Sequence, residues 1–197
     1  MIKNYIFDFG DVFINLDKPA TQRELIKLGM SDFTNEMVEM NYSYEKGLIS
    51  TDDFLSFYQT QFPSVSKKEL ADVWNSIILD FPEYRLQFIE EFSRKHDCYL
   101  LSNINDLHLT YIKKNLDKSF YNRFINCFDK VYYSHEVHLR KPDENIFEFV
   151  LKDAKLQANK CFFIDDTLEN IKTAKQIGMQ VWHLLPELEV VELVVSH

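Results

Sequence analysis

The chain has 197 residues, of which 46% are hydrophobic and 27% are charged, and its formal net charge is −9. This length and composition are typical of a soluble globular protein with one domain, or with one domain that carries a sizeable insertion. The negative charge excludes nucleic acid as an expected partner, because binding to a phosphate backbone needs a basic surface.

Five short apolar runs predict β-strands. They are Asn4–Phe9, Asp97–Ser102, Lys130–Ser134, Lys160–Asp165 and Gln180–Leu184. The runs are almost continuously hydrophobic, as in strands that are buried on both faces of a parallel sheet. Helical patterns separate the strands after residue 97, at Asn105–Asn115, Asp143–Ala154 and Thr167–Ile177. The alternation predicts an α/β fold with a Rossmann-like, parallel-sheet core.

The segment after the first strand predicts helices only. These are Pro19–Leu28, Ser31–Lys46, Ser50–Phe62 and Ser66–Leu79, and a further helix, Pro82–Lys95, leads back to the second strand. Ser66 and Glu69 have capping-box spacing, and Gly29 and Gly47 follow helical runs, where a left-handed residue is favoured. We therefore expect a core of residues 1–16 and 84–197, with an all-helical cap of residues 17–83 inserted after the first strand.

Polar side chains lie at the ends of the predicted strands or in the short loops that follow them. They are Asp8, Ser102, Asn103, Lys141, Asp165 and Asp166. In an open parallel sheet the ligand crevice lies outside the carboxyl ends of the strands. We therefore expect these residues to meet at one edge of the sheet, although they are far apart along the chain.

The chemistry of this set indicates a phosphate site. Three aspartates so close together would repel one another unless a cation lay between them, and their hard oxygen ligands suit Mg²⁺. Lys141 and the metal would neutralise a phosphoryl group, while the Ser102 hydroxyl and the Asn103 N–H would hold its oxygens. Asp8 would attack phosphorus in line. With a reference pKa of about 3.9, it is ionised at neutral pH and needs no base.

Four motifs carry a resemblance to a known family. They are FDFGDV at 7–12, LLSN at 100–103, RKPDENIF at 140–147 and FIDDTLENIKTAKQIGM at 163–179. With these motifs in this order, the chain resembles the haloacid dehalogenase-like hydrolases. Within that family it is similar to the branch of small phosphatases that includes glucose-1-phosphatase. The resemblance implies a Mg²⁺-dependent phosphomonoesterase that acts on a small phosphorylated metabolite, such as a sugar phosphate.

The resemblance also implies catalytic and phosphate-binding roles for four residues. Asp8 matches the nucleophile, which forms an aspartyl-phosphate. Ser102 and Asn103 match the pair that binds the phosphate. Lys141 matches the lysine that stabilises both the nucleophile and the phosphoryl oxygens.

For the metal, the resemblance implies three ligands and a supporting set. The ligands are the Asp8 carboxylate, the backbone carbonyl of Gly10 and the Asp166 carboxylate. Asp165 is implied to lie beside the metal, and Asn170, one helical turn after Asp166, is implied to support the loop.

The chain departs from the family pattern at one position. Most phosphatases of this family carry an aspartate two residues after the nucleophile, which protonates the leaving oxygen, and here that position is Gly10. Asp11 would share a face with Asp8 if the chain turned helically. We expect, however, that Asp11 does not replace the acid, because nothing in the sequence forces it inward.

The missing acid leaves two alternatives to a phosphatase open. One is a catalytically weak protein that binds phosphate or a metabolite and acts as a regulator on the same fold. The other is a 2-haloacid dehalogenase, which also uses an aspartate nucleophile but no Mg²⁺. Asp165, Asp166 and Lys141 favour a metal and a phosphate over this second alternative.

The remaining features concern compartment and assembly. Cys98, Cys127 and Cys161 form no C-x-x-C pair, and we expect them to be reduced thiols in a cytoplasmic protein. The first residues show no secretory signal, and no apolar run approaches the length of a membrane span. We expect no membrane partner, and the sequence does not indicate an oligomeric state.

Overall fold

A five-stranded, fully parallel sheet forms the centre of the protein in the computed structural model, which describes residues 2–193. The strands are β1 (Asn4–Phe7), β2 (Asp97–Ser102), β3 (Lys130–Tyr133), β4 (Cys161–Asp165) and β5 (Gln180–His183), and their spatial order is β3-β2-β1-β4-β5. The predicted α/β class and parallel sheet are confirmed. β1 is the central strand, so its carboxyl end lies between those of β2 and β4.

Ten α-helices lie within residues 2–193. They are α1 (Ala20–Lys27), α2 (Asn35–Glu45), α3 (Thr51–Gln61), α4 (Lys67–Asn75), α5 (Glu83–Phe92), α6 (Asp106–Asn115), α7 (Lys118–Ile125), α8 (Ser134–Val137), α9 (Glu144–Asp153) and α10 (Leu168–Gln176). Short 3₁₀ segments cover Ala158–Lys160 and Val190–Glu192. Among the helices of residues 2–193, none combines the length and apolarity needed to cross a bilayer.

The sheet is buried on both faces, which explains its continuous apolar runs. On β1, Tyr5 and Phe7 face one hydrophobic cluster and Ile6 faces the other. Alternate side chains of a strand point to opposite faces, so a doubly covered strand is apolar along most of its length. The first cluster is rich in aromatic side chains, with the rings of Phe13 and Phe124 5.0 Å apart.

The helices α1 to α4 pack around a hydrophobic cluster of their own. Leu25, Phe54, Tyr58 and Leu70 are fully buried within it. The predicted capping box at Ser66 is present, since the Ser66 hydroxyl accepts from the Glu69 N–H and the Glu69 carboxylate accepts from the Ser66 N–H. A separate cluster of buried side chains is what an inserted cap requires, because each packed unit needs its own core.

Two linkers join these helices to the sheet, and here the prediction for α4 was wrong. The helix ends at Asn75 instead of Leu79, because the following residues pair with the chain that leaves β1. Leu16 and Ile78 form an antiparallel bridge, and the Asn15 N–H lies 2.8 Å from the Asp80 carbonyl oxygen. The chain thus leaves and re-enters the core through two adjacent segments, and we propose residues 17–83 as the cap.

Candidate active site

Three carboxylates meet at the carboxyl edge of the sheet. Asp8 directly follows β1, Asp165 ends β4, and Asp166 is the next residue. One oxygen from each lies within 4.8 Å of the others. Because β1 and β4 are neighbours in parallel register, their ends place these aspartates together, although they are more than 150 residues apart in sequence.

A buried lysine joins two of the carboxylates. Lys141 is 1% exposed, and its Nζ lies 2.6 Å from Asp8 Oδ1 and 2.6 Å from Asp165 Oδ2. It also donates to the Leu101 carbonyl oxygen at 2.8 Å. An ammonium group has three donors, and all three are used here. The fixed geometry holds the Asp8 carboxylate in one orientation.

The electrostatics of the cluster favour an additional cation. Burial raises the pKa of Asp8 to about 7, and the Lys141 ammonium opposes that effect, whereas Asp165 and Asp166 add to it. The expectation from the reference pKa, that Asp8 is fully ionised at neutral pH, therefore requires a further cation beside it. Burial disfavours the charged form of Lys141, but Asp165 and Asp8 outweigh it, so its pKa is raised. One buried ammonium thus faces three carboxylates. The excess negative charge and the hard oxygen donors fit a divalent ion such as Mg²⁺.

Asp165 and Asp166 lie in different surroundings. Asp165 is fully buried, and its oxygens accept from Lys141, from the Thr167 N–H at 2.8 Å and from Asn170 Nδ2 at 3.0 Å. Asp166 faces the cavity beside Asp8. The geometry therefore supports a structural part for Asp165 and Asn170, whereas Asp166 has, within residues 2–193, only the exposed Lys18 as a cationic partner, which an ion in the cavity could replace.

The phosphate-binding candidates lie at the end of β2. Ser102 ends the strand, and the side chain of Asn103 is already engaged: Oδ1 accepts from the Lys141 N–H at 2.9 Å, and Nδ2 donates to the Lys141 carbonyl at 2.8 Å. The Asn103 amide thus positions the lysine loop. The sequence assigned phosphate binding to the Asn103 backbone N–H, and that role stays a prediction.

These groups line one cavity of about 510 Å³, the active-site cavity. Asp8, Gly10, Asn103, Lys141 and Asp166 contribute to its wall. The predicted set is therefore brought together, with Ser102 in the wall of an adjoining cavity that also contains Gly10 and Asn103.

The turn after Asp8 differs from the helical turn that would bring Asp11 inward. Asp11 has φ 52°, and its carboxylate accepts from the Leu16 N–H at 2.9 Å and pairs with Lys18 at 3.1 Å. A side chain placed at Gly10 would begin 2.7 Å from Leu16 Cδ1. The geometry thus favours Asp11 as part of the turn, and the end of the Leu16 side chain lies where a side chain at position 10 would begin.

Lys18 was missed by sequence reasoning. Its ammonium forms ion pairs with both Asp11 and Asp166, and it lies on the linker that enters the cap. No motif marks this residue, since its contacts depend on how the cap docks on the core.

The cap also touches the lysine loop. Arg140, the residue before Lys141, donates from Nε to Glu45 Oε1 at 2.7 Å, and its guanidinium lies 4.3 Å from the centre of the Tyr42 ring. The Ser134 hydroxyl donates to the Glu45 carbonyl oxygen at 2.7 Å. We call this contact zone the cap seam. Arg140 stands in one of the four sequence motifs, but nothing there predicted its pairing with Glu45.

The histidines near the seam are engaged with backbone and side-chain groups of the protein. His135 and His138 contact the carbonyl oxygens of Ile104 and Lys46 through Nδ1. His108 contacts the Trp74 carbonyl through Nε2 at 3.0 Å and Asn105 through Nδ1 at 3.2 Å. Burial lowers the pKa of His108 to about 4, so it is neutral at pH 7.

A curated relative and a solved structure, both from Bacteroides thetaiotaomicron, match nearly the whole chain. A protein named D-ribitol-5-phosphate phosphatase is 27% identical over 192 residues, which cover 92% of this chain and 91% of the relative. A haloacid dehalogenase family enzyme, crystallised with magnesium and inorganic phosphate, is 31% identical with a TM-score of 0.82 and covers 96% of this chain and 97% of its own.

More distant structures share the fold alone. The L-2-haloacid dehalogenase of Xanthobacter autotrophicus is 16% identical with a TM-score of 0.58, covering 93% of this chain and 78% of its own, so the dehalogenase is only a distant neighbour. The family model of the haloacid dehalogenase-like hydrolases matches residues 2–178, which is most of the sequence and includes three of the four motifs in full and the fourth up to Gly178. The chain belongs to the haloacid dehalogenase-like hydrolases.

Proposed function

We propose that the protein is a Mg²⁺-dependent phosphomonoesterase that hydrolyses a small phosphorylated metabolite through an aspartyl-phosphate on Asp8. The observation that carries this proposal is the buried Lys141 ammonium, held 2.6 Å from both Asp8 and Asp165 beside a third carboxylate. A relative named as a sugar-alcohol phosphate phosphatase supports the same reaction class.

The metal site would use Asp8, the Gly10 carbonyl and Asp166. All three line the active-site cavity, and the oxygen donors suit the ion. When bound, Mg²⁺ would supply positive charge to the phosphoryl oxygens. Asp165 is saturated by protein donors and would instead orient Lys141.

In the first step, Asp8 acts as the nucleophile. One of its carboxylate oxygens forms a bond to phosphorus while the bond between phosphorus and the ester oxygen breaks. The positive charge of Lys141, whose three donors are already engaged, stabilises the phosphoryl oxygens electrostatically, and Ser102 and the Asn103 N–H donate hydrogen bonds to them. The leaving oxygen takes a proton from water, because Gly10 offers none and Asp11 is bound to Leu16 and Lys18.

In the second step, water attacks phosphorus and the bond to Asp8 breaks. Phosphate leaves, the Asp8 carboxylate is regenerated, and the proton released by the attacking water balances the one taken up in the first step. General acid assistance typically contributes about 10²–10⁴-fold. Without it, esters with weakly basic leaving groups should react fastest.

Phosphate release from a panel of esters tests this proposal. The panel contains p-nitrophenyl phosphate, sugar phosphates and D-ribitol 5-phosphate, each with Mg²⁺ and with a chelator. We expect Mg²⁺-dependent turnover that Asp8→Asn reduces by about 10³-fold or more. The matched control is Asp97→Asn, at the opposite end of β2, which should behave as wild type.

The same panel separates the phosphatase from a non-catalytic regulator. Binding of phosphate esters without any turnover, together with equal behaviour of the wild type and Asp8→Asn, would favour the regulator. Turnover that persists in Asp8→Asn would show that another group is the nucleophile.

A further inference from the structure

We propose that Glu45 sets substrate specificity, selecting phosphate esters whose leaving group is uncharged and hydroxylated over esters that carry a second anion. This inference rests on the proposed function and identifies the substrate class. It concerns a cap residue that no sequence motif assigned to the site.

Two further cavities extend from the active site toward the cap. An inner chamber of about 180 Å³ shares Gly10, Leu16 and Asn103 with the active-site cavity. A cap chamber of about 270 Å³ shares Glu45 and His108 with the inner chamber. A leaving group attached to phosphorus at Asp8 therefore passes Leu16 and meets Glu45.

Glu45 has one oxygen engaged and one available. Oε1 accepts from Arg140 Nε at 2.7 Å, whereas Oε2 accepts no hydrogen bond from any donor within residues 2–193. A carboxylate oxygen accepts hydrogen bonds and donates none, so it suits a hydroxyl and repels a second carboxylate or phosphate.

Within residues 2–193, no uncommitted cation lines these three cavities to receive a second anion. Among the described residues, the basic side chains that line these three cavities are Lys18, Arg140 and Lys141, together with His108. Each of the first three already pairs with a carboxylate. Because His108 is buried and uncharged at neutral pH, it adds no positive charge.

The backbone holds Glu45 in this position. Its carbonyl oxygen accepts from the Ser134 hydroxyl, and a Cβ at Gly47, two residues later, would lie 2.1 Å from the His135 carbonyl oxygen. The end of α2 therefore packs against the core with no space to shift. Arg140, which donates to Glu45, directly precedes Lys141. The residue proposed to contact the leaving group is therefore hydrogen-bonded to the loop that carries Lys141.

The test compares the ratio of kcat/KM for two esters in the wild type and in Glu45→Gln. The esters are D-ribitol 5-phosphate, which is hydroxylated, and 3-phosphoglycerate, which carries a carboxylate. We expect the wild type to prefer the hydroxylated ester by at least about 10-fold, and Glu45→Gln to lower the ratio by about 10-fold or more. The substitution removes a repulsive charge and frees Arg140 for the substrate carboxylate.

Glu39→Gln, an exposed glutamate on the same helix, is the matched control and should keep the wild-type ratio. Calorimetric binding of both esters to Asp8→Asn, with and without Glu45→Gln, gives the same comparison without turnover. Equal affinities of Asp8→Asn for the two esters, or a preference that Glu45→Gln leaves unchanged, would overturn the inference. Absence of p-nitrophenyl phosphate hydrolysis by the wild type with Mg²⁺ would instead count against the proposed function.

Discussion

The edge of the sheet and the cap seam are built in different ways. At the edge, Lys141, Asp8 and Asp165 are buried, and strand ends fix their positions. At the seam, Glu45 and Arg140 are half-buried, and their positions depend on how two separately packed units meet. In the function proposed above, sheet topology therefore sets the reaction chemistry, and docking of the proposed cap on the core sets the selection of the leaving group.

The largest effect on stability and activity should come from removing the buried lysine at the edge of the sheet. Lys141→Met leaves Asp8 and Asp165 buried without their cation, and losing one partner of a buried ion pair costs about 3–5 kcal/mol. We expect this loss in the free energy of unfolding in urea without metal, together with loss of phosphatase activity. The exposed Lys152→Met is the control, and an equal loss in both variants would contradict the account.

The second-largest effect concerns the pH dependence of stability and His108, which lies near the cap seam. The pKa of His108 is about 4 in the folded protein, against about 6.5 in an unfolded chain. The unfolded chain therefore binds the proton first as pH falls. The stabilisation from neutral His108 is complete above about pH 6.5 and declines toward pH 4, by about 3 kcal/mol in all.

Urea unfolding of the wild type and His108→Gln between pH 7 and pH 4 measures that decline. The variant should lose less stability over this range, and the difference between the two curves should grow as pH falls. His138→Gln, at an exposed position in the same region, is the control. Parallel curves for wild type and His108→Gln would show that burial of His108 is not the cause of the loss of stability at low pH.

A smaller effect should separate two glycines that both have positive φ. Gly29 has φ 101°, and a Cβ added there would meet nothing within 4 Å, whereas Gly47 has φ 63° and an added Cβ would lie 2.1 Å from a backbone oxygen. Gly29→Ala should cost about 1 kcal/mol from backbone strain alone. Gly47→Ala should cost about 2–3 kcal/mol, because the seam must also move. Thermal unfolding measures both variants. Equal losses of stability in Gly29→Ala and Gly47→Ala would mean that the cap seam is loosely packed.

The smallest effect should come from Asp11→Asn. The amide oxygen still accepts from the Leu16 N–H, so the turn persists while the pairing with Lys18 weakens. We expect kcat/KM for an alkyl phosphate to change by less than about 10-fold, below the about 10²–10⁴-fold effect of a general acid. A loss as large as that of Asp8→Asn would make Asp11 a catalytic residue.

The sheet and its charged edge were predictable because both depend on local sequence. A buried parallel strand is an apolar run, and parallel strands end at the same edge, so the sequence alone places Asp8, Ser102 and Asp165 together. The strands were predicted one or two residues too long in places, as at Phe9, where the chain has already turned.

The missed features depend on contacts between distant segments. α7 was not predicted, because its eight residues span only about two helical turns, although Phe120 and Phe124 lie four residues apart, as do Tyr121 and Ile125. The end of α4 was misplaced because residues after Asn75 pair with the linker around Leu16. The ion pairs of Lys18 and Glu45 arise only when the cap is docked, and no spacing in the sequence encodes that geometry.

The most direct test of the central claim is to trap the phosphorylated enzyme. Wild-type protein is mixed with Mg²⁺ and a reactive ester, quenched in acid during turnover, and reduced with borohydride, which converts an acyl phosphate to an alcohol. Peptide mass spectrometry should locate the reduced side chain at Asp8, in an amount that rises with the burst of product. Modification at another residue, or turnover with no trapped acyl phosphate, would contradict the account.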